Sequence, residues 1–441
     1  MIPAIALVGR PNVGKSTLFN RLTKSRSALV ADEPGLTRDR QIGRAEIGGT
    51  RFLVVDTGGL SPNEKSGISA EMSAQAVLAI AESDAVVFVV DSRAGLTPED
   101  QLIANQLRQC GRPVFIAANK SEGISSAVAG IEFHSLGMGE PRAISAAHGD
   151  GVRELVSLIL EGFPRDIELD VVDEGIRVAV VGRPNVGKST LINAWLGEER
   201  VIAFDLPGTT RDAIDIPFEC AGQRYVLIDT AGLRRKGRVF ETIEKFSAIK
   251  TVQAIEGANV VVMVMDATQE ISDQDAHIAG LIAKSGRAMV LAVNKWDLLT
   301  AYAKQQALEA IKRRLGFIVF AKVHQISALK GIGLRAVLTS VDQAYRSANS
   351  KLSTPRLTRA LQVALEKQQP PRVGGVRPKL RYAHQGGRNP PIIVVHGSAA
   401  EKVPLAYVRY LERHFTEAFK LSGTPVRVQF KTAANPYASS A

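Results

Sequence analysis

The chain has 441 residues, more than a single hydrophobic core usually organises, so its length predicts about three domains. With 45% hydrophobic and 22% charged residues, its composition is that of a soluble globular protein. Its longest apolar runs are far short of the roughly 20 residues that span a bilayer, and its first residues lack a signal-peptide pattern. We therefore expect a cytoplasmic protein without a membrane partner.

The net charge of +11 is confined to one end of the chain. Residues 351–441 contain 15 Lys and Arg against 4 Asp and Glu, whereas the rest of the chain is neutral, with 40 residues of each sign. This segment is predicted to meet a polyanionic partner. The alternative is a solvated basic surface that only aids solubility.

Apolar runs alternate with helical patterns through the first three quarters of the chain, for example a helix predicted at 99–109. This alternation predicts an α/β fold with mostly parallel sheets flanked by helices. The acidic residues 165–175 lack helical periodicity and predict a linker. The runs predicted to be buried strands are 5–8, 52–55, 85–90 and 114–117, then 178–181, 225–228, 260–265 and 289–293.

After about residue 347 the pattern changes to the order α-β-β-α-β, which predicts a small α+β domain. Its elements are expected at 356–367, 379–385, 391–396, 405–420 and 426–430. The predicted domains are then 1–164, the linker 165–175, 176–347, and a basic domain at 350–441.

Four motifs occur twice in the same order, which indicates an internal duplication. The segment from Gly9 to Leu18 and the segment from Asp56 to Leu60 both recur 173 residues later. The dipeptides Asn119-Lys120 and Ser145-Ala146 recur as Asn294-Lys295 and Ser327-Ala328.

The first motif is the G-x-x-x-x-G-K-[ST] phosphate-binding loop, which requires a strand before it and a helix after it. Its glycines let backbone N–H groups turn towards phosphate, Lys15 and Lys188 neutralise phosphate oxygens, and the following serine ligates Mg²⁺. The predicted loop residues are Gly9, Arg10, Pro11, Asn12, Val13, Gly14, Lys15 and Ser16, and Gly182, Arg183, Pro184, Asn185, Val186, Gly187, Lys188 and Ser189.

The second motif is predicted to sense the γ-phosphate. Asp56 and Asp229 end apolar strands, where a carboxylate reaches Mg²⁺. The predicted motif residues are Asp56, Thr57, Gly58, Gly59 and Leu60, and Asp229, Thr230, Ala231, Gly232 and Leu233. Gly59 and Gly232 offer N–H groups to the γ-phosphate, and Thr37 and Thr210, in matching Pro-Gly-x-Thr-Arg-Asp segments, are expected second Mg²⁺ ligands.

The remaining motifs predict a guanine pocket. In Asn294-Lys295-Trp296-Asp297 the carboxylate accepts two hydrogen bonds from guanine, a donor pair that adenine lacks. Ser327-Ala328 offers a backbone N–H to the guanine oxygen. The first copy reads Asn119-Lys120-Ser121-Glu122, with Ser145-Ala146, and its longer carboxylate predicts weaker or less selective guanine binding. The motifs together predict hydrolysis of GTP to GDP and phosphate.

Two such domains followed by a basic α-β-β-α-β domain resemble the Der family of bacterial GTPases, also called EngA, over essentially the whole chain. The resemblance implies a factor for late assembly of the large ribosomal subunit, a KH-like C-terminal domain and cross-talk between the nucleotide sites. The implied partners are the large subunit and ribosomal RNA rather than DNA, and a monomer is expected.

One departure concerns the attacking water. Leu60 and Leu233 stand where Ras-type enzymes have a water-orienting glutamine. The chain is similar to GTPases with this hydrophobic substitution, several of which carry an asparagine at the positions of Asn12 and Asn185. That similarity implies a potassium ion held against the phosphates. Separately, we expect Arg10 and Arg183 to be solvated or to contact the linker.

The other departure is that no G-x-x-G occurs after Ser350, so a KH-like shape is predicted without the loop that grips single strands. Tyr382, His384 and Tyr410 are able to stack on bases, but we expect them to pack in the core or at its rim. The alternative classes are a tRNA-modifying GTPase, which needs a further catalytic domain, and a membrane-associated GTPase, which needs an anchor.

Overall fold

The computed structural model describes residues 2–23, 41–57, 76–163, 175–197, 201–203, 215–228 and 247–432. The chain divides into two compact units, one formed by 1–173 with 247–253 and the other by 174–246 with 254–441. In the described ranges, no helix combines the length and the apolar character that crossing a bilayer requires.

The first unit contains a six-stranded sheet in the order β2-β3-β1-β4-β5-β6, in which only β2 runs antiparallel to its neighbour. All seven residues of β4 are buried, as expected of a parallel strand covered on both faces. The strands are β1 Ala4–Val8, β2 Gln41–Ile47, β3 Thr50–Asp56, β4 Ala85–Asp91, β5 Val114–Asn119 and β6 Arg142–Ala143.

Helices cover both faces of this sheet. The helices are α1 Lys15–Thr23, α2 Pro98–Arg108, α3 Ser126–Ala129 and α4 Val152–Glu161, with a helical segment at 76–82 and a 3-10 helix at Ile131–Leu136. One apolar cluster joins α1 and α4 to the sheet, and a second joins α2 and the 3-10 helix to the opposite face. The predicted α/β architecture is confirmed.

The second unit repeats this design in a seven-stranded sheet with the order β13-β12-β11-β7-β10-β9-β8. Its strands are β7 Ile176–Val181, β8 Val201–Ala203, β9 Ile216–Cys220, β10 Gln223–Ile228, β11 Val260–Asp266, β12 Ala288–Asn294 and β13 Lys322–Gln325. The helices that follow in the chain are α5 Lys188–Leu196, α6 Ala248–Gly257, α7 Asp273–Ser285, α8 Ala301–Arg314 and α9 Leu334–Ala348, with 3-10 helices at Trp296–Leu298 and Gly316–Ile318. Residues 248–253 of α6 belong to the first unit.

Each copy of the α/β domain contains a β-hairpin that its apolar pattern does not predict. The β2–β3 turn holds Gly48 and Gly49 at φ 61° and 82°, and the β9–β10 turn holds Ala221 and Gly222 at φ 53° and 79°. Two consecutive positive φ values are the requirement of the two-residue turns that join antiparallel strands. The hairpins add antiparallel edges to the parallel sheets.

The C-terminal domain has the predicted α-β-β-α-β order. Its elements are α10 Thr354–Lys367, β14 Lys379–Gly387, β15 Ile392–Ser398, α11 Leu405–Ala418 and β16 Arg427–Thr432, with a 3-10 helix at Ala400–Lys402. In the sheet β14-β15-β16, β14 is antiparallel and β16 parallel to β15. Both helices pack on one face of the sheet.

Gly423 joins the C-terminal domain to the second nucleotide-binding domain. Its carbonyl accepts a hydrogen bond of 2.7 Å from the Met289 N–H of β12, and its own N–H donates to Phe320 at 2.8 Å. The residue has φ 73°, and a Cβ there would lie 2.5 Å from the Cβ of Ala344 in α9. Only glycine permits this close approach.

Candidate functional site

The two phosphate-binding loops lie between strand and helix, as predicted, and have matching conformations. Gly14 has φ 101°, and a Cβ there would lie 2.3 Å from Nδ2 of Asn119; the corresponding values at Gly187 are φ 100° and 2.2 Å from Asn294. These glycines are required by close backbone packing as well as by phosphate access.

The two loop lysines turn back onto the carbonyls of their own loops. Nζ of Lys15 donates to the carbonyls of Gly9 at 3.0 Å and Arg10 at 2.8 Å, and Nζ of Lys188 donates to that of Arg183 at 2.8 Å. Burial lowers the pKa of Lys15 from 10.5 to about 8, although the Asp56 carboxylate acts in the opposite direction.

The structure brings together two of the predicted magnesium ligands of the first copy. Oγ of Ser16, in the first turn of α1, donates to Oδ2 of Asp56 at the end of β3 over 2.8 Å. Thr57, the next residue, donates its hydroxyl to the Leu7 carbonyl at 2.7 Å. The predicted site residues outside the described ranges are Thr37, Gly58, Gly59, Leu60, Thr210, Asp229, Thr230, Ala231, Gly232 and Leu233.

Asn12 and Asn185 occupy equivalent exposed positions in the two phosphate-binding loops. Both have a left-handed backbone, with φ 66° and 62°, a conformation that asparagine adopts more readily than most side chains. A Val with a buried side chain follows each of them. The loop therefore keeps each asparagine outside the hydrophobic core.

Asn119 and Asn294 bridge two loops instead of facing outwards. Nδ2 of Asn119 donates to the Val13 carbonyl at 2.7 Å, and its Oδ1 accepts from the Ala146 N–H at 2.9 Å. Asn294 makes the same two bonds in the second copy, to Val186 and Ala328, both at 2.9 Å. The side chain thus joins the phosphate loop to the guanine-pocket loop.

The lysines of the same motif are anchored by aspartates that sequence reasoning missed. Nζ of Lys120 lies 2.6 Å from Asp91, and Nζ of Lys295 lies 2.6 Å from Asp266. Although burial acts to raise it, the hydrogen bond from the lysine brings the pKa of each aspartate below its usual value. The available signal was an aspartate ending the third strand run in both copies.

The expectation that Arg10 and Arg183 are solvated is wrong, whereas the predicted linker, apart from Gly175, lies outside the described residues. Their side chains are only 17% and 18% exposed and pair with the buried Asp100 at 3.4 Å and Asp275 at 2.9 Å. Each aspartate also closes the capping box at the start of its helix, with Thr97 in the first copy and Ser272 in the second. One carboxylate therefore caps a helix and fixes the phosphate loop.

The two guanine pockets differ in the cation beside the carboxylate. Oε1 of Glu122 lies 2.9 Å from the Arg93 guanidinium, whereas Oδ2 of Asp297 lies 3.0 Å from Nζ of Lys330. The Glu122 N–H, the Ser145 hydroxyl and Arg93 hold the pKa of Glu122 below its usual value. For Asp297, the Ser327 hydroxyl and Lys330 have the same effect on the pKa.

The remaining motif residues hold the loops around these carboxylates. The Ser121 hydroxyl donates to the Ile144 carbonyl at 2.8 Å in the first copy. In the second, the Trp296 N–H donates to the Ile326 carbonyl at 3.1 Å. Both contacts join the motif to the loop that contains Ser145-Ala146 or Ser327-Ala328, so the two halves of each pocket form one assembly.

In each copy an asparagine joins the phosphate-binding loop to a pocket loop, and a carboxylate lies beside that pocket. This arrangement defines the class of GTP-binding hydrolases of the P-loop type, and the chain contains it twice. Comparison with known proteins agrees. The family described as "50S ribosome-binding GTPase" matches residues 4–120 and again 177–295. The family described as "KH-domain-like of EngA bacterial GTPase enzymes, C-terminal" matches residues 351–431.

The chain belongs to the Der (EngA) family of GTPases. It is 62% identical over 442 residues to GTPase Der of Azoarcus sp., with 100% of both chains covered. It is also 62% identical over 439 residues to GTPase Der of Aromatoleum aromaticum, covering 99% of each. Among solved structures, a variant of Era from Aquifex aeolicus bound to GDP and AlF4⁻ is 24% identical, covering 48% of this chain and 75% of that one with a TM-score of 0.33.

Proposed function

We propose that the chain hydrolyses GTP at both sites and acts as a nucleotide-switched factor in late assembly of the large ribosomal subunit. The observation that carries this proposal is the full-length 62% identity to GTPase Der, together with a match to a family described as ribosome-binding. The domain boundaries predicted above, a monomeric state and a cytoplasmic location belong to the same proposal.

Each site has a distinct group for each part of GTP. Lys15 and Lys188, now on loop carbonyls, exchange those acceptors for β- and γ-phosphate oxygens, while backbone N–H groups of the loops hold the remaining oxygens. Glu122 and Asp297 accept the guanine N–H donors. The described positions support these roles because each lysine and each carboxylate belongs to loops that one asparagine holds together.

The first site fits a magnesium ion. Ser16 Oγ and Asp56 Oδ2 are oxygen donors only 2.8 Å apart, which is the kind of ligand that Mg²⁺ prefers. In the proposal, Ser16, Asp56 and Thr37 hold the ion in the first site, and Ser189, Asp229 and Thr210 hold it in the second. Bound there, the ion neutralises charge on the phosphate oxygens.

A second, monovalent cation is proposed because neither Leu60 nor Leu233 can orient the attacking water. Asn12 and Asn185 are exposed on the phosphate loops, where an amide oxygen can ligate potassium. Such an ion supplies the positive charge that an arginine supplies in other GTPases. Gly59 and Gly232 complete the proposed catalytic set through their backbone N–H groups.

The C-terminal domain is proposed to anchor the protein to ribosomal RNA mainly through phosphate contacts, since residues 351–441 contain the entire net charge of +11. Deleting this domain is a poor test. It would leave Met289 of β12 without the acceptor that Gly423 provides, and so disturb the second nucleotide site.

The full-length chain tests the proposal directly. Co-sedimentation with large subunits is measured with a non-hydrolysable GTP analogue and with GDP, over a range of salt, with small subunits as the control particle. We expect analogue-dependent association whose log–log salt slope is about −0.7 to −0.9 per phosphate contacted. Lys15→Ala and Lys188→Ala are the matched variants for the nucleotide dependence. Equal binding to both particles in both nucleotide states contradicts the proposal.

A further inference from the structure

The C-terminal sheet has one face covered by helices and one face that carries rings. The covered face contributes core residues such as Ala383, Ile393 and Val395. Because side chains alternate along a strand, Tyr382 and His384 of β14 and His396 of β15 lie on the opposite face. We name these three residues the ring face.

The three rings of this face are neighbours, and two of them stack. Tyr382 pairs with His396 across the strands, and their ring centroids lie 4.4 Å apart with planes only 6° from parallel. The His384 ring lies 5.0 Å from that of His396. Cross-strand ring pairs stabilise sheets, but this stabilisation does not require that one of the two rings be exposed to solvent. Tyr382 packs on His396 at the rim of the domain, in line with the expectation, yet its side chain is 44% exposed.

Tyr410 shows what packing looks like in the same domain. Its ring packs against the core, and its hydroxyl donates to the Ala364 carbonyl at 2.9 Å, as expected. In contrast, Nε2 of His396 has no hydrogen-bond partner in the described part of the chain. Burial, then the nearby His384 and Lys431, lower the pKa of His396.

Basic side chains surround the ring face. Lys431 of β16 pairs in register with His396, and Lys379 alternates with the buried Leu380. A register shift between Leu380 and Tyr382 leaves Arg381 as an extra, exposed residue beside the stack. Within the described ranges, Lys379, Arg381 and Lys431 form no ion pair, so their charges face solvent.

We propose that the ring face binds single-stranded RNA, with an unpaired base extending the stack at Tyr382 and the adjoining phosphates meeting Lys379, Arg381 and Lys431. The inference rests on the proposed function, which makes RNA the partner of this domain. Stacking accepts every base because each has a π-face, and basic residues beside the rings track the backbone. The site therefore supplies strand binding without a G-x-x-G loop.

The helix-covered side of the domain is basic too, but its rings are engaged. A shallow groove there is lined by Arg356, Arg359, Lys367, His414 and Phe419, among others. The Arg356 guanidinium lies over the Phe419 ring at 5.3 Å, and Nε2 of His414 lies 3.0 Å from the Ala360 carbonyl. This groove offers charge without a free ring and provides a control for the ring face.

The test uses the full-length chain and two labelled RNAs of about 12 nucleotides, one of uridines and one abasic with the same backbone. We expect Tyr382→Thr to weaken binding of the uridine strand roughly 5- to 100-fold and to leave the abasic strand unchanged. Tyr382→Phe should bind like the parent chain. Lys431→Gln should weaken both strands and reduce the salt slope by about 0.7.

Tyr382→Leu guards against a folding defect, because it keeps apolar cover over the sheet without a ring; it should show the same selective loss. Equal effects on both strands in Tyr382→Thr and Tyr382→Leu overturn the ring face. The ring-face proposal is also overturned if only Arg356→Gln weakens RNA binding, because that result places the RNA on the helix-covered side and leaves the proposed function intact. Failure of the parent chain to bind either RNA or large subunits contradicts the proposed function itself.

Discussion

The two guanine pockets share one frame and differ in the charge arrangement around it. In both, an asparagine joins the phosphate loop to the pocket loop, and an aspartate at the end of a strand anchors the motif lysine. The carboxylate of the motif differs, being Glu122 in the first pocket and Asp297 in the second.

The cation that pairs with the carboxylate also comes from a different position in each copy. Arg93, which pairs with Glu122, follows the aspartate of β4 by two residues, where the second copy has Thr268. Lys330, which pairs with Asp297, corresponds to His148 in the first copy. The first copy therefore pairs a longer acid with a cation that follows β4, and the second pairs a shorter acid with a cation from the loop after Ser327. Between the two copies the buried hydrogen bonds of the asparagine are the same, whereas the exposed ion pairs beside the carboxylate differ.

The largest expected effect comes from the shared part of the frame. Lys15→Ala removes a buried ammonium that forms charge-assisted hydrogen bonds, so nucleotide affinity at the first site should fall more than about 100-fold. Lys188→Ala should do the same at the second. Calorimetric titration with GDP should then give about one nucleotide per chain for either variant. Two nucleotides retained in either case would show that the assigned loop is not the phosphate site.

A smaller loss is expected when the loop bridge is cut. Asn119→Ala leaves the Val13 carbonyl and the Ala146 N–H without their partner, each at a cost of about 1–3 kcal/mol. GDP affinity at the first site should fall roughly 10-fold or more, and Asn294→Ala should lower it equally at the second. Measuring each variant with the other site disabled by its lysine substitution separates the pockets. Unequal losses would show that the frame is not truly shared.

Potassium should stimulate hydrolysis over sodium at both sites, by about tenfold, because a positioned charge at the phosphates replaces the missing glutamine. Initial rates in equimolar KCl and NaCl measure it. Asn12→Ala and Asn185→Ala should each abolish the stimulation at one site only. Equal rates in the two salts would remove the cation from the proposal and leave the phosphate chemistry unaffected.

The smallest effect should be the one that distinguishes the pockets. Arg93→Thr, which installs the residue found in the second copy, should weaken GDP binding at the first site about two- to fivefold, as expected of an exposed ion pair. Glu122→Asp tests the prediction that the longer carboxylate weakens guanine binding, and its effect on GDP affinity should be more favourable in the Arg93→Thr background than alone, because there the shorter acid loses no partner. Strict additivity in this double-mutant cycle, measured by GDP titration, would mean that the two side chains act independently.

Much of this was predictable because the phosphate loops and strands depend on local pattern. Gly14 and Gly187 follow from the motif, and the strand runs from their apolar content. Pairs between distant residues were not predictable. Arg10 was expected in solvent because its partner Asp100 lies 90 residues further along the chain and looks like an ordinary helix cap. The hairpins were missed because their first strands, Gln41–Ile47 and Ile216–Cys220, are not continuous apolar runs. Gly48-Gly49 is a usual turn signal, whereas Ala221-Gly222 is not.

The contact at Gly423 has a thermodynamic consequence. The C-terminal domain binds Met289 near the start of β12, and the same strand ends at Asn294, which joins the two loops of the second pocket. The buried strand β12 therefore contacts the C-terminal domain near one end and contributes Asn294 to the second pocket at the other. If a guanine nucleotide changes the affinity for RNA through this strand, thermodynamic linkage requires that bound RNA change the affinity for the nucleotide by the same factor.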